Sequence, residues 1–185
     1  MVVPGRRRPR RVAVPGRLGL VVIHTGDGKG KTTAALGLVA RMLAHGGRCA
    51  VVQFVKERRD AATRLLRHPR LHWHCVGGGF TWEAADPTHL RLACETGWQL
   101  ATDCLSDPGY DLVLLDELNI VLAAGYLDPE PVLAALAARP RTQHVAITGR
   151  HALPELVAAA DLVTEMRPVK HPFDRGLPAQ AGIEF

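Results

Sequence analysis

The segment Thr25-Gly-Asp-Gly-Lys-Gly-Lys-Thr-Thr33 constrains this chain more than any other. Before it lies the continuous apolar run Leu18-Gly-Leu-Val-Val-Ile23, of strand length and apolar on both faces, which reads as a central buried strand. After it, Thr33-Ala-Ala-Leu-Gly-Leu-Val-Ala-Arg-Met-Leu43 has helix-forming composition and stops at His45-Gly46-Gly47. Strand, glycine loop and helix in that order are the setting of a phosphate-binding loop. Glycines let successive backbone N–H groups point inward, the helix N-terminus adds positive potential, Lys31 supplies a mobile charge and Thr32 a hydroxyl for a divalent cation. Thr25, Gly26, Asp27, Gly28, Lys29, Gly30, Lys31, Thr32 and Thr33 are therefore the predicted nucleotide-binding residues. The common pattern, G-x-x-x-x-G-K-[ST], has glycine at its first position; here that position is Thr25, and glycine stands at 26. A nucleoside triphosphate is the expected ligand of this variant loop, with ordinary hydrolysis a weaker implication.

The alternation continues down the chain. Strands are predicted at 49–54, 71–76, 112–115, 144–148 and 162–165, and helices at 61–67, 87–105, 119–124, 129–138 and 154–160. Five or six apolar strands separated by helices require an α/β fold, a mostly parallel sheet with helices on both faces. Ligands in such folds bind beyond the carboxyl ends of the strands. The glycine loop, the Gly77-Gly78-Gly79-Phe80-Thr81-Trp82 loop and Asp116/Glu117 are thus expected at one edge. At 185 residues, with no repeat and no second boundary, the chain reads as one domain over 18–185 preceded by an arm over 1–17.

The run Asp111-Leu-Val-Leu-Leu-Asp116-Glu117 ends a buried strand in two acids, from which a carboxylate can reach a cation on ATP phosphates. One acid alone could instead cap a helix; beside a phosphate loop, the metal role is favoured. The net charge of +5 is not a nucleic-acid signature, because residues 1–17 hold six arginines and no acid, leaving 17 basic and 18 acidic residues elsewhere. Such an arm is predicted to be disordered, solubilising or docking, with no specific nucleic-acid partner. No apolar run approaches the ~20 residues a membrane span needs, so no membrane association is expected. Cys49, Cys75, Cys94 and Cys104 form no C-x-x-C pair and read as buried reduced thiols of a cytoplasmic protein. His72 and His74 share one face of a strand, but no clear third ligand lies near them.

Seven segments occur in a distinctive order: Thr25–Thr33, Val52-Gln-Phe-Val-Lys56, Gly79-Phe-Thr-Trp-Glu83, Leu115-Asp-Glu-Leu-Asn119, Ile147-Thr-Gly-Arg150, Val169-Lys-His-Pro-Phe173 and Gln180-Ala-Gly-Ile-Glu184. Together they closely resemble the ATP:corrinoid adenosyltransferases of the cobalamin pathway, from about residue 18 to the C-terminus. The resemblance implies a RecA-like P-loop fold, a cytoplasmic homodimer, and transfer of the 5′-deoxyadenosyl group of ATP to the Co(I) of cobalamin or a precursor corrinoid, releasing triphosphate. It implies Mg²⁺ or Mn²⁺ held by Thr32, Asp116 and Glu117, with Glu117 favoured over Asp116, and Lys31 on the leaving group. It also implies that Phe80 and Trp82 pack under the corrin, displacing the lower cobalt ligand to ease reduction by an outside donor such as a flavoprotein or reduced flavin. Co(I) is itself a strong nucleophile, so no nucleophilic side chain is required, and none is conspicuous.

The chain departs from its apparent relatives in two places. Lys56-Glu-Arg-Arg-Asp-Ala-Ala-Thr63 stands where many carry glycine after the lysine and then a Gly-Glu pair, and the N-terminal arm is short and Arg-rich. Three other functions fit parts of the pattern: a RecA-like ATPase or nucleic-acid motor, a small-molecule kinase yielding ADP, and a corrinoid carrier that binds without transfer.

Overall fold

The computed structural model describes residues 18–55, 66–76 and 87–183. Within them six strands form one sheet: β1 (Val21–Thr25), β2 (Cys49–Gln53), β3 (Leu71–Cys75), β4 (Leu112–Asp116), β5 (His144–Thr148) and β6 (Leu162–Glu165). Their order is β3-β2-β4-β5-β1-β6, and every pairing is parallel. Parallel neighbours need crossovers, and five α-helices are described: α1 (Lys31–Ala44), α2 (Pro87–Ser106), α3 (Leu118–Ala123), α4 (Pro129–Ala138) and α5 (Pro154–Ala159).

Alternation along the central strands builds two cores. Ala50, Val52, Val113, Leu115, Val145 and Ile147 pack on one face with α2 to α5, while Cys49, Val51, Leu112, Leu114 and Ala146 pack on the other with Ala35, Leu36, Val39 and Leu43 of α1. All five residues of β2 and of β4 are buried, as strands covered on both faces should be. β6, at the sheet edge, differs from the central strands: all four of its residues are exposed, Leu162 and Val163 included. β1 also starts later than the apolar run. Gly19 N–H donates to Arg141 O at 2.7 Å and Leu20 N–H to His144 Nδ1 at 3.1 Å, tying Gly19 and Leu20 to the turn before β5 and to its first residue.

The arm over 1–17, residues 61–65 of the helix expected at 61–67, and Phe80 and Trp82 lie outside the described residues; Leu66 and Arg67 are not helical. His72 Nδ1 lies 2.7 Å from Tyr110 Oη, its ring edge-on to the tyrosine at 5.6 Å. Cys49, Cys94 and Cys104 are buried and Cys75 is half-buried, all four as free thiols. Burial pushes the Cys49 thiol up to about 12 and the Cys94 thiol up to about 11, so neither is poised as a nucleophile.

Candidate active site

The phosphate loop runs from the last residue of β1 into the first turn of α1, and its shape depends on its glycines. Gly26 and Gly30 have φ of 91° and 106°, conformations that L side chains rarely adopt. Gly28 is confined differently: a Cβ there would lie 2.8 Å from the Met166 carbonyl carbon and oxygen. Its N–H donates to Met166 O at 2.7 Å, and Met166 N–H donates to Thr25 O at 2.8 Å. The chain leaving β6 therefore backs the loop. Lys31 is buried at 8% exposure, and its Nζ donates to Gly26 O at 2.7 Å and Gly28 O at 2.8 Å. Burial lowers its pKa, and the nearby charge of Glu117 opposes that shift. Thr32 is half-buried, while Asp27, Lys29 and Thr33 are exposed.

β5 lies between β1 and β4 in the sheet, so its end separates the phosphate loop from the acid pair. Asp116, the last residue of β4, is fully buried; its Oδ1 accepts from Thr148 Oγ1 at 2.8 Å and its Oδ2 from Gln53 Nε2 at 2.7 Å. Glu117 comes next with φ of 65° and ψ of 18°, a left-handed conformation uncommon for glutamate, and its N–H donates to Thr148 Oγ1 at 2.9 Å. The turn sends the chain into α3 and leaves Glu117 lining a cavity of about 440 Å³ together with Lys31, Ile120, Arg150 and His151. Of the two acids, Glu117 faces the cavity and Asp116 sits behind it.

Arg150 and His151 are cavity residues to which the sequence reading assigned no role. Arg150 arrives there because Gly149, at φ 129°, lets the end of β5 pass α3 closely: a Cβ would come within 2.9 Å of Asn119 Cβ. Asn119 Nδ2 donates to Gly149 O at 3.1 Å across that contact. Arg150 Nε lies 3.9 Å from Asp27 Oδ1, a long and exposed ion pair that contributes little to stability. Lys31 and Arg150 bring positive charge to the cavity that the carboxylate of Glu117 also lines. A polyphosphate carrying a hard cation matches that arrangement, with phosphate oxygens toward the cations and metal toward oxygen donors such as Thr32 and Glu117.

Comparison with known proteins decides the family. The family model described as ATP:corrinoid adenosyltransferase BtuR/CobO/CobP matches residues 17–185. The chain belongs to this family. It is 46% identical over 170 residues to the corrinoid adenosyltransferase of Pseudomonas aeruginosa, covering 90% of this chain and 84% of that one. It is 44% identical over 168 residues to corrinoid adenosyltransferase CobA of Salmonella typhimurium and 43% identical over 168 to the Escherichia coli K12 relative; each match covers 90% of this chain and 86% of the relative. Among solved structures, the flagellar accessory protein FlaH of Methanocaldococcus jannaschii shares the fold. That likeness has a TM-score of 0.50 at 12% identity, over 80% of this chain and 70% of that one. The α/β fold and the adenosyltransferase reading of the motifs agree with these findings.

Within this adenosyltransferase the structure brings Lys31 and Glu117 to one cavity; Lys31 is the loop residue that lines it. Phe80 and Trp82 fall outside the described residues. No described helix is long and apolar enough to cross a membrane.

Proposed function

We propose that the cavity between the phosphate loop and Glu117 binds the triphosphate of ATP as a leaving group, and that the acceptor is the Co(I) of a reduced corrinoid. The observation that carries this is Lys31 and Glu117 facing one cavity in a chain matched to the adenosyltransferase family over 17–185. The cobalt nucleophile attacks the ribose C5′: the Co–C5′ bond forms, the C5′–O bond breaks, and the electron pair leaves with intact triphosphate. The protein's tasks are positioning and leaving-group stabilisation. Lys31, which caps the loop carbonyls of Gly26 and Gly28, turns to the phosphates, and Arg150 exchanges its weak contact with Asp27 for them. The donor set suits Mg²⁺ or Mn²⁺: Thr32 and Glu117 would hold the ion, with Asp116 supporting Glu117 from behind. Such an ion supplies charge neutralisation on the departing triphosphate.

Phe80 and Trp82 complete the reading on the corrin side, where they exclude the lower ligand and water so that an outside donor, a flavoprotein or reduced flavin, can reduce Co(II). The four free thiols fit a cytoplasmic enzyme, and we take the active form to be a homodimer. The test is anaerobic incubation with ATP, Mg²⁺ and chemically reduced corrinoid. Expected are the spectrum of a light-sensitive Co–C bond and one triphosphate per adenosylcorrinoid. Stoichiometric ADP overturns the reading in favour of phosphoryl transfer.

A further inference from the structure

Glu117 holds a backbone conformation that its residue type disfavours, and such conformations persist only where surrounding contacts over-determine them. Those contacts form an ordered chain across four strands. Trp73 Nε1, on β3, donates to Gln53 Oε1 at 2.9 Å; Gln53 Nε2, at the end of β2, donates to Asp116 Oδ2 at 2.7 Å. From the other side, Thr148 Oγ1, at the end of β5, donates to Asp116 Oδ1 at 2.8 Å and accepts the Glu117 N–H at 2.9 Å.

The direction of every bond is determined. An indole N–H can only donate, which orients the Gln53 amide; a carboxylate accepts from both sides; the single Thr148 proton goes to Asp116, leaving a lone pair for Glu117. Gln53, Asp116 and Thr148 are all fully buried, where a broken link leaves a desolvated polar group unsatisfied. By strand alternation they lie on the face covered by α1, whose first residue is Lys31.

We propose that Trp73, Gln53, Asp116 and Thr148 are positioning residues that hold Glu117 toward the cation of the bound nucleotide. The chain sets the left-handed turn through the Thr148 hydroxyl, and the turn sets the carboxylate in the cavity that Lys31 also lines. This rests on the reading of Glu117 as the metal-side carboxylate.

The test compares affinities for ATP alone and for MgATP in the full-length protein, by titration calorimetry, with thermal unfolding alongside. Glu117→Gln is the benchmark and loses the gain in affinity that Mg²⁺ confers. Thr148→Val, close in shape but without the hydroxyl, is expected to reduce that gain by about 10- to 100-fold, the usual cost of removing a group that orients a metal ligand. Affinity for metal-free ATP stays near wild type, and Thr148→Ser restores the gain. A purely structural role would lower the melting temperature and leave the ratio of the two affinities unchanged. A lost gain in Glu117→Gln with an unaltered ratio in folded Thr148→Val overturns this inference alone. An unaltered ratio in Glu117→Gln overturns the metal-side reading and this inference with it. Should Thr148→Val not fold, Trp73→Phe carries the same comparison, since it removes one N–H at the half-buried far end; an unaltered ratio there is then the overturning result.

Discussion

The phosphate loop and the acid end of β4 meet at one cavity, yet they are held there by different means. The loop is made of nearly consecutive residues, shaped by its own glycines and backed by the backbone at Met166. The acid end is held by side chains from β2, β3 and β5, so that Glu117 depends on Thr148, 31 residues away, and Asp116 on Gln53, 63 residues away. A local device tolerates change elsewhere in the chain and fails when its own residues change. A distributed one can fail at positions that never touch substrate.

The largest effect should come from striking both sides at the cavity. Lys31→Ala and Glu117→Ala are each expected to lower the transfer rate by about 10² to 10³, the usual consequence of removing one good electrostatic contact from a developing charge. Thr32→Ala should behave alike. Single-turnover rates with pre-formed Co(I) measure this directly, and full activity in Glu117→Ala would return the metal role to Asp116.

Next in size is a steric break in the loop. Gly28→Ala places a methyl 2.8 Å from the Met166 backbone, which cannot swing aside as a side-chain end could. An overpacking cost of about 1–3 kcal/mol is expected. It should appear as weakened ATP binding together with a lower melting temperature. Unchanged binding would mean that the segment following β6 does not define the loop.

The smallest effect tests the background against which both regions sit. His24, on β1 one residue before the loop, is 8% exposed, and neither ring nitrogen has a hydrogen-bond partner among the described residues. Burial holds its pKa below the usual 6.5. The folded state therefore keeps the ring neutral at pH values where the unfolded chain takes up a proton. Its contribution is intact above about pH 6.5 and is lost as pH falls from there toward the lowered folded-state pKa. The slope from this one group is at most about 1.4 kcal/mol per pH unit. Urea titrations of His24→Leu across that window should show a shallower acid loss than the parent; identical slopes would place the acid sensitivity elsewhere.

Much of this was legible from residue order. The apolar runs Cys49–Val52 and Leu112–Leu115, within the strands predicted at 49–54 and 112–115, announce buried strands, and the glycine loop between strand and helix announces a phosphate site. The acid pair was visible, and resemblance favoured Glu117, but Asp116 and Glu117 are adjacent, and the division of their roles is a matter of direction. A left-handed turn at Glu117 points one toward the cavity and leaves the other buried between the ends of β2 and β5. Arg150 stood in a recognised segment without an assigned role, because its place in the cavity depends on the close passage of Gly149 against α3. The exposure of β6 was likewise hidden, since Leu162 and Val163 are as apolar as residues of a covered strand and only their edge position leaves them bare.

By itself, then, the sequence determined the strand–loop–helix unit, the parallel α/β class and the family, because each rests on periodicity or on motifs of consecutive residues. Tertiary structure alone decided that β5 separates the loop from the carboxylates, that Met166 backs the loop, and that Trp73, Gln53 and Thr148 converge on Asp116 and Glu117. The reason is physical. Helix and strand propensities act over a few neighbouring residues, whereas strand order and register bring distant side chains within hydrogen-bond reach, and hydrogen bonds are made only at contact.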